Sequence, residues 1–249
     1  MSEIKLIALD MDGTLLTKEH QVSDRTKEAI AKALAKGVHV VLSTGRSLST
    51  CYPYAQELNL ASYLVTCNGG EIWTMEKELL EQHLLDTEIV EKIWHLGLEL
   101  GVEMWMISTE GFLRGERPDN FYDYDWLKFG CDSEDTDKLA RLVKELSYFA
   151  ELEITNSLPT NIEINPKGVS KAKALERVCQ KLDITMDNVM SVGDSLNDIK
   201  MIQEAGIGVA MGNAQEAIKK VANHITDTND EDGVAKAIEH FVIESNRNG

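Results

Sequence analysis

Positive charge is scarce in this sequence: 25 lysines and arginines stand against 42 acidic residues, a formal net charge of −17. A surface of that sign repels phosphate backbones and anionic lipid, so neither nucleic acid nor membrane is an expected partner. Cysteine is scarce too. Cys51, Cys67, Cys131 and Cys179 form no CxxC pair and no zinc-like spacing, which predicts reduced, mostly buried thiols. No apolar run approaches the length of a membrane span. Met1–Ser2–Glu3 leads straight into Ile4–Leu9, without the basic start and long apolar stretch of a secretory leader, so a cytoplasmic location is expected. Internal repeats and low-complexity segments are also missing. What remains is an ordinary globular composition, 43% apolar and 27% charged over 249 residues. That length suffices for a full hydrophobic core with a small inserted domain.

The chain opens with an alternation of strands and helices. Ile4–Leu9 suits a strand buried on both faces. Ser23 is placed to cap a helix reaching about Lys36, with Gly37 as its stop. His39–Leu42 reads as the next strand, a helix follows from about Ser47, and Tyr63–Thr66 is a third strand. The rhythm returns with helix Ser170–Lys181, strand Asn188–Val192, helix Asn197–Ala205 and strand Ile207–Met211. A helix near Ala214–Val221, a short strand near His224–Thr226 and a helix near Val234–Ile243 complete it. Such alternation predicts a Rossmann-like parallel sheet with helices on both faces. Between Leu84 and Ile162 the pattern changes. Helices at Thr87–Leu100 and Asp135–Phe149 are mixed with strand-like pieces at Val102–Ser108, Gly111–Leu113, Leu152–Thr155 and Asn161–Asn165. The expected fold is an α/β core, residues 1–83 and 163–249, with an α+β cap domain, residues 84–162, inserted into it.

Four short motifs carry the chemistry. Asp10–Met11–Asp12–Gly13–Thr14–Leu15 follows the first strand directly. In an open α/β sheet ligands gather at the carboxyl ends of the strands, where these two carboxylates fall. A turn alone explains Asp and Gly there, but needs no pair of carboxylates two residues apart. Ser43–Thr44–Gly45–Arg46 ends another strand; a hydroxyl, a glycine that permits close approach and a helix start suit a phosphate oxygen. Lys171, in Gly168–Val169–Ser170–Lys171, opens a helix against the helix dipole and so needs an anionic partner. Gly193–Asp194–Ser195–Leu196–Asn197–Asp198 ends a further strand and adds two carboxylates. Capping of the next helix explains one polar residue there, not the cluster. Asp10, Asp12, Asp194 and Asp198 converging at neighbouring strand ends cannot all stay ionised without compensation. All the donors are oxygens, which favours Mg²⁺ over zinc.

With these residues in view the sequence resembles the haloacid dehalogenase-like phosphatases, most closely the Cof-type branch, which carries an α/β cap between its second and third motifs. The four motifs stand in the family's order, as DMDGTL, STGR, GVSK and GDSLND, and the likeness spans essentially the whole chain. The resemblance implies that Asp10 is a nucleophile forming an aspartyl-phosphate and that Asp12 is first the general acid and then the base for water. It implies Thr44, Lys171 and Asn197 as phosphate ligands, helped by the backbone N–H of Met11, with Gly45 and Arg46 beside them. Asp10, the carbonyl of Asp12, and Asp194 would hold Mg²⁺, with Asp198 and Ser195 behind them and Asp198 orienting Lys171. The expected substrate is a small phosphorylated metabolite, such as a sugar phosphate or nucleotide. Two alternatives share these residues: a phosphomutase, which returns the phosphoryl group to a sugar, and a phospho-accepting signalling module. The inserted middle and Asp12 disfavour the latter.

Other signals are weaker. Gly206–Gly212 contains the strand itself, the wrong context for a dinucleotide loop. Phe121–Trp126 alternates, so Tyr122, Tyr124 and Trp126 would share one face of a strand and pack on a cap helix. Arg114 and Arg117 sit in a polar stretch that could meet a second anionic group. Asn68 lies in a turn at a strand end.

Overall fold

The computed structural model describes residues 2–244; Met1 and residues 245–249 of the expected core lie outside the described residues. β1 (Leu6–Leu9) is apolar and wholly buried, as a central parallel strand must be. α1 (Asp24–Ala35) is capped by Ser23, whose hydroxyl accepts from the Thr26 N–H. β2 (His39–Ser43), α2 (Leu48–Glu57) and β3 (Tyr63–Thr66) follow. Next come two strands that no apolar run announces, β4 (Glu71–Thr74) and β5 (Leu79–Gln82), joined by a turn in which Lys77 has a φ of 64°. The middle holds α3 (Thr87–Leu100), β6 (Glu103–Ser108), β7 (Phe112–Arg114), β8 (Trp126–Asp132), α4 (Thr136–Leu146), β9 (Leu152–Thr155) and β10 (Asn161–Pro166). The last part comprises α5 (Lys171–Lys181), β11 (Val189–Gly193), α6 (Ile199–Glu204), β12 (Ile207–Ala210), α7 (Glu216–Val221), β13 (His224–Ile225) and α8 (Gly233–Ile238).

The strands form two sheets, an eight-stranded one in the order β13-β12-β11-β1-β2-β3-β4-β5 and a five-stranded one in the order β7-β6-β8-β10-β9. In the larger sheet β13 through β3 run parallel, while β4 and β5 are antiparallel. The sheet is therefore mixed, with an antiparallel hairpin added to the expected parallel core. β1 lies between β11 and β2, with Leu9 level with both Val192 and Leu42. That register brings Asp10, Ser43–Thr44 and Gly193–Asp194 to one sheet edge. Gly206–Gly212 is the buried strand β12 and its ends, as expected.

The five-stranded sheet has its own core. Met104, Met106, Phe129, Cys131, Ile162 and Ile164 face α3 and α4. Strand alternation puts Trp105, Ile107, Lys128, Glu163 and Asn165 on the opposite face. There Trp105, Ile107 and Leu127 meet Cys67, from the loop after β3, in a small apolar cluster. β10 passes residue 162, the expected limit of the insertion, and pairs along its length with β8 and β9.

The expected strand over Phe121–Trp126 is absent. Phe121–Asp123 is a turn of 3₁₀ helix, started by Asn120, whose side-chain oxygen accepts from the Tyr122 N–H. Tyr122 is 61% exposed while Trp126 is 1% exposed, so the two do not share a face. Trp126 packs against Phe121, which in turn meets Trp94 of α3. All four cysteines are free and buried, and burial pushes the Cys51 thiol up to about 12. Among the described residues no helix is long and apolar enough to cross a membrane.

One glycine fixes how α5 meets the larger sheet. Gly69, after β3, has a φ of 97°, and a Cβ there would lie 2.4 Å from the Ser170 carbonyl oxygen at the start of α5. Gly69→Ala is expected to lower the unfolding free energy by about 1–3 kcal/mol, read from the midpoint of urea unfolding. An unchanged midpoint would show that the contact relaxes freely.

Candidate active site

Asp10 stands immediately beyond β1 and is 5% exposed. Lys171, the first residue of α5, is 1% exposed and lies between two carboxylates. Its Nζ donates to Asp10 Oδ1 at 2.6 Å and to Asp198 Oδ1 at 2.7 Å. The other oxygen of Asp198 accepts from the backbone N–H groups of Asp194 (2.9 Å) and Ser195 (3.1 Å). Asp198 is thus fastened at both ends, and it aims the ammonium at Asp10. Gly193 leaves room for it, since a Cβ there would lie 2.5 Å from Asp198 Cγ.

Asp194 completes the cluster. It accepts from the Thr14 hydroxyl at 3.0 Å and from the Ser195 hydroxyl at 2.8 Å. Asp10, Asp194 and Asp198 each offer an oxygen within 4.8 Å of the others. Burial pushes the Asp10 carboxyl well above the usual carboxylate range, and the neighbouring Asp198 and Asp194 add to this while Lys171 opposes it. Burial likewise pushes Asp194 up to about 6, with Asp198 adding to the rise. For Lys171, burial works against the charge, yet Asp10 and Asp198 outweigh it and hold the ammonium protonated. Three buried carboxylates against one ammonium leave an excess of negative charge. A divalent cation bound through oxygens fits that donor set.

The Asp12 side chain turns away from this cluster. Its carboxylate accepts from Arg46 Nε at 2.8 Å and from an Arg46 terminal nitrogen at 2.5 Å. His20 Nδ1 is 3.8 Å away. The Arg46 guanidinium lies over the Tyr54 ring, and its pKa is held above the ordinary arginine value, chiefly by the hydrogen bonds to Asp12. Met11 is fully buried, and its carbonyl accepts from the Leu16 N–H at 2.9 Å. Thr44 is buried, and its hydroxyl accepts from the Arg46 N–H at 3.1 Å. The Asn197 side chain donates to Asn68 Oδ1 at 3.3 Å, and its backbone N–H donates to the Asn156 carbonyl at 3.1 Å. Arg114 is spent on Glu103 and Asp132, and Arg117 on Glu91 and the Pro118 carbonyl; none of these contacts is with the carboxylate cluster.

Residues outside the motifs also reach the site. Lys128 of β8 donates to the Gly45 carbonyl at 3.2 Å, and Glu163 of β10 accepts from Asn68 at 2.6 Å. Their sequence signal is a charge inside a buried strand: Leu127–Lys128–Phe129 and Ile162–Glu163–Ile164. Beside the cluster lies an open cleft of about 420 Å³, lined by loop residues. Asp12, Gly13 and Asp194 are among its lining residues, as are Ser157, Leu158 and Pro159 from the loop after β9.

A buried aspartate at a strand end, a buried lysine and an acidic loop, beneath an inserted α+β module, stand together on a Rossmann-like core. The chain belongs to the haloacid dehalogenase-like hydrolases: the model of that family matches residues 7–124 and 115–238. It is a phosphatase, a hydrolase of phosphoric monoesters. A curated relative from Bacillus subtilis (strain 168), the 5-amino-6-(5-phospho-D-ribitylamino)uracil phosphatase YcsE, is 54% identical over 241 residues and is covered to 97%, as is this chain. A solved haloacid dehalogenase-like hydrolase from B. subtilis superimposes with a TM-score of 0.88 at 27% identity, covering 96% of this chain and 100% of the other. Another, from Bacteroides thetaiotaomicron, gives 0.82 at 31% identity, covering 96% and 99%.

Removing the ammonium would leave the buried carboxylates uncompensated. Lys171→Met is expected to destabilise the fold by about 3–5 kcal/mol, measured by denaturant unfolding at neutral pH without divalent cation. Stability equal to that of the parent protein would mean that the carboxylates find relief elsewhere.

Proposed function

We propose that the chain is a Mg²⁺-dependent phosphatase that hydrolyses small organic phosphate monoesters through a phosphorylated Asp10. The observation that carries this reading is the buried Asp10, oriented by Lys171 and crowded by Asp194 and Asp198. Asp10 and Asp194, with the main-chain carbonyl of Asp12, would hold Mg²⁺, which supplies positive charge to offset the carboxylates and the phosphoryl oxygens.

In the first step a carboxylate oxygen of Asp10 bonds to phosphorus as the ester P–O bond breaks, and the departing oxygen takes a proton from Asp12. In the second, water attacks phosphorus and gives its proton to Asp12, while the P–O bond to Asp10 breaks and inorganic phosphate leaves. Asp12 must exchange Arg46 for the ester oxygen to do this. Thr44, Asn197, Lys171 and the N–H of Met11 are the proposed phosphate contacts, with Gly45 and Arg46 beside them. The module over residues 84–162, extended to the end of β10, is the proposed cap.

For the substrate, we take 5-amino-6-(5-phospho-D-ribitylamino)uracil, which the B. subtilis relative's name specifies, as the first candidate. The cavity beside Asp12 supports a leaving group of that kind. It has room for a polyol with one ring, and hydroxyl and carboxamide side chains of Ser157, Asn213, Gln215 and Asn229 are among its lining residues.

The protein is expected to turn over an aryl phosphate many times in the presence of Mg²⁺, releasing inorganic phosphate, and to stop when the metal is chelated. Asp10→Asn should lower kcat by about a thousand-fold or more. Parent-like turnover by that variant would end the covalent scheme. Transfer of phosphate to a second sugar hydroxyl instead of water would turn the reading toward a mutase.

A further inference from the structure

The face of the five-stranded sheet turned toward the larger sheet carries a buried ion pair outside the four motifs. Lys128 and Glu163, 2% and 4% exposed, meet at 2.8 Å. A buried pair of this kind loses much hydration and is often no more stabilising than apolar side chains of the same volume. Its retention here is explained by what its two ends hold.

The lysine end holds the loop after β2. Lys128 Nζ donates to the Gly45 carbonyl at 3.2 Å and lies 5.1 Å from the centre of the Trp105 ring. The packing at Gly45 is close: a Cβ there would lie 2.9 Å from the ammonium and 3.0 Å from Asn68 Oδ1. The glutamate end holds Asn68. Glu163 Oε2 accepts from Asn68 Nδ2 at 2.6 Å, and Oε1 accepts from the Ser157 hydroxyl at 2.9 Å. Asn68 in turn donates its backbone N–H to the Thr44 carbonyl at 2.9 Å and accepts from Asn197 Nδ2 at 3.3 Å. Cys67 and Asn68 both have positive φ, 51° and 59°, a backbone state that persists only where the surroundings enforce it. Asn165 adds to that enforcement, accepting from Asn68 and donating to the Cys67 carbonyl at 3.0 Å.

We infer that Lys128 and Glu163 are positioning residues for the phosphate-bearing end of the substrate. They set Gly45 directly, and Thr44 and Asn197 through Asn68, without touching substrate themselves. The inference rests on the proposed phosphate contacts of Thr44, Gly45 and Asn197. It ties their geometry to the five-stranded sheet, so the phosphate pocket is complete only while that sheet is seated.

The test is Lys128→Met, compared with the parent protein in three measurements: inorganic phosphate binding by calorimetry with Mg²⁺ present, kcat and KM on an aryl phosphate and on a phosphorylated sugar alcohol, and thermal unfolding. Phosphate affinity is expected to fall by about ten-fold or more, and kcat/KM to fall by a common factor for both substrates. Glu163→Gln, which keeps the shape and part of the hydrogen bonding, should fall between the two. Unchanged phosphate affinity in a folded Lys128→Met protein would overturn the inference. So would a loss confined to one substrate, because that pattern marks a residue touching the leaving group. If Lys128→Met does not fold, Glu163→Gln, which weakens the pair from its other end, is read by the same outcomes. Failure of the parent protein itself to turn over either ester would overturn the proposed reaction, while the phosphate-affinity comparison would still decide the role of Lys128.

Discussion

The site depends on one buried ammonium. Lys171 enters a pocket from which water is excluded, where an isolated charge would be strongly disfavoured. It is tolerated because Asp10 and Asp198 flank it within hydrogen-bonding distance. The same contacts fix Asp10 at the end of the central strand and leave the cluster short of positive charge. In a chain of net charge −17, attraction for a phosphate ester cannot come from the surface at large. It has to be local, and Lys171 with the cation proposed for the carboxylates is its proposed source.

Much of this was legible beforehand, because the chemistry sits where a parallel sheet always presents its ligands. A strand buried on both faces reads as an apolar run, and the first polar residues after it fall at the ligand edge. Asp10, Ser43–Thr44 and Gly193–Asp194 are brought together by nothing more than the adjacency of β11, β1 and β2. The β4–β5 hairpin was not legible, since Glu71, Glu78 and Glu81 interrupt the apolar pattern. Glu71 is nonetheless buried, accepting from Thr66, Trp73 and Gln82. The alternation at Phe121–Trp126 misled because Asn120 starts a turn there, and a local side-chain bond outweighs a pattern only six residues long.

Two motif residues hold contacts that their types did not announce. Beside Gly45, where a side chain is missing, lies an ammonium from the other sheet. Asp12, expected beside Asp10, points its carboxylate at Arg46. Lys128 and Glu163 went unnoticed because a lone lysine or glutamate is ordinarily a solvated surface group, and their partnership spans two strands. Only the pairing of β8 with β10 makes them neighbours.

The five-stranded sheet is oily on one side and wet in character on the other. Its helix-covered side binds the module to itself through Met104, Phe129 and Ile164. The side that meets the rest of the protein offers carboxamides, a hydroxyl-bonded carboxylate and an ammonium beside the small apolar cluster of Trp105, Ile107 and Leu127. The polar contacts there add little net stability, because water replaces most hydrogen bonds at a net difference of about 1 kcal/mol apiece. A seam of this kind is exacting in its geometry, since each of its hydrogen bonds needs a partner within about 3 Å.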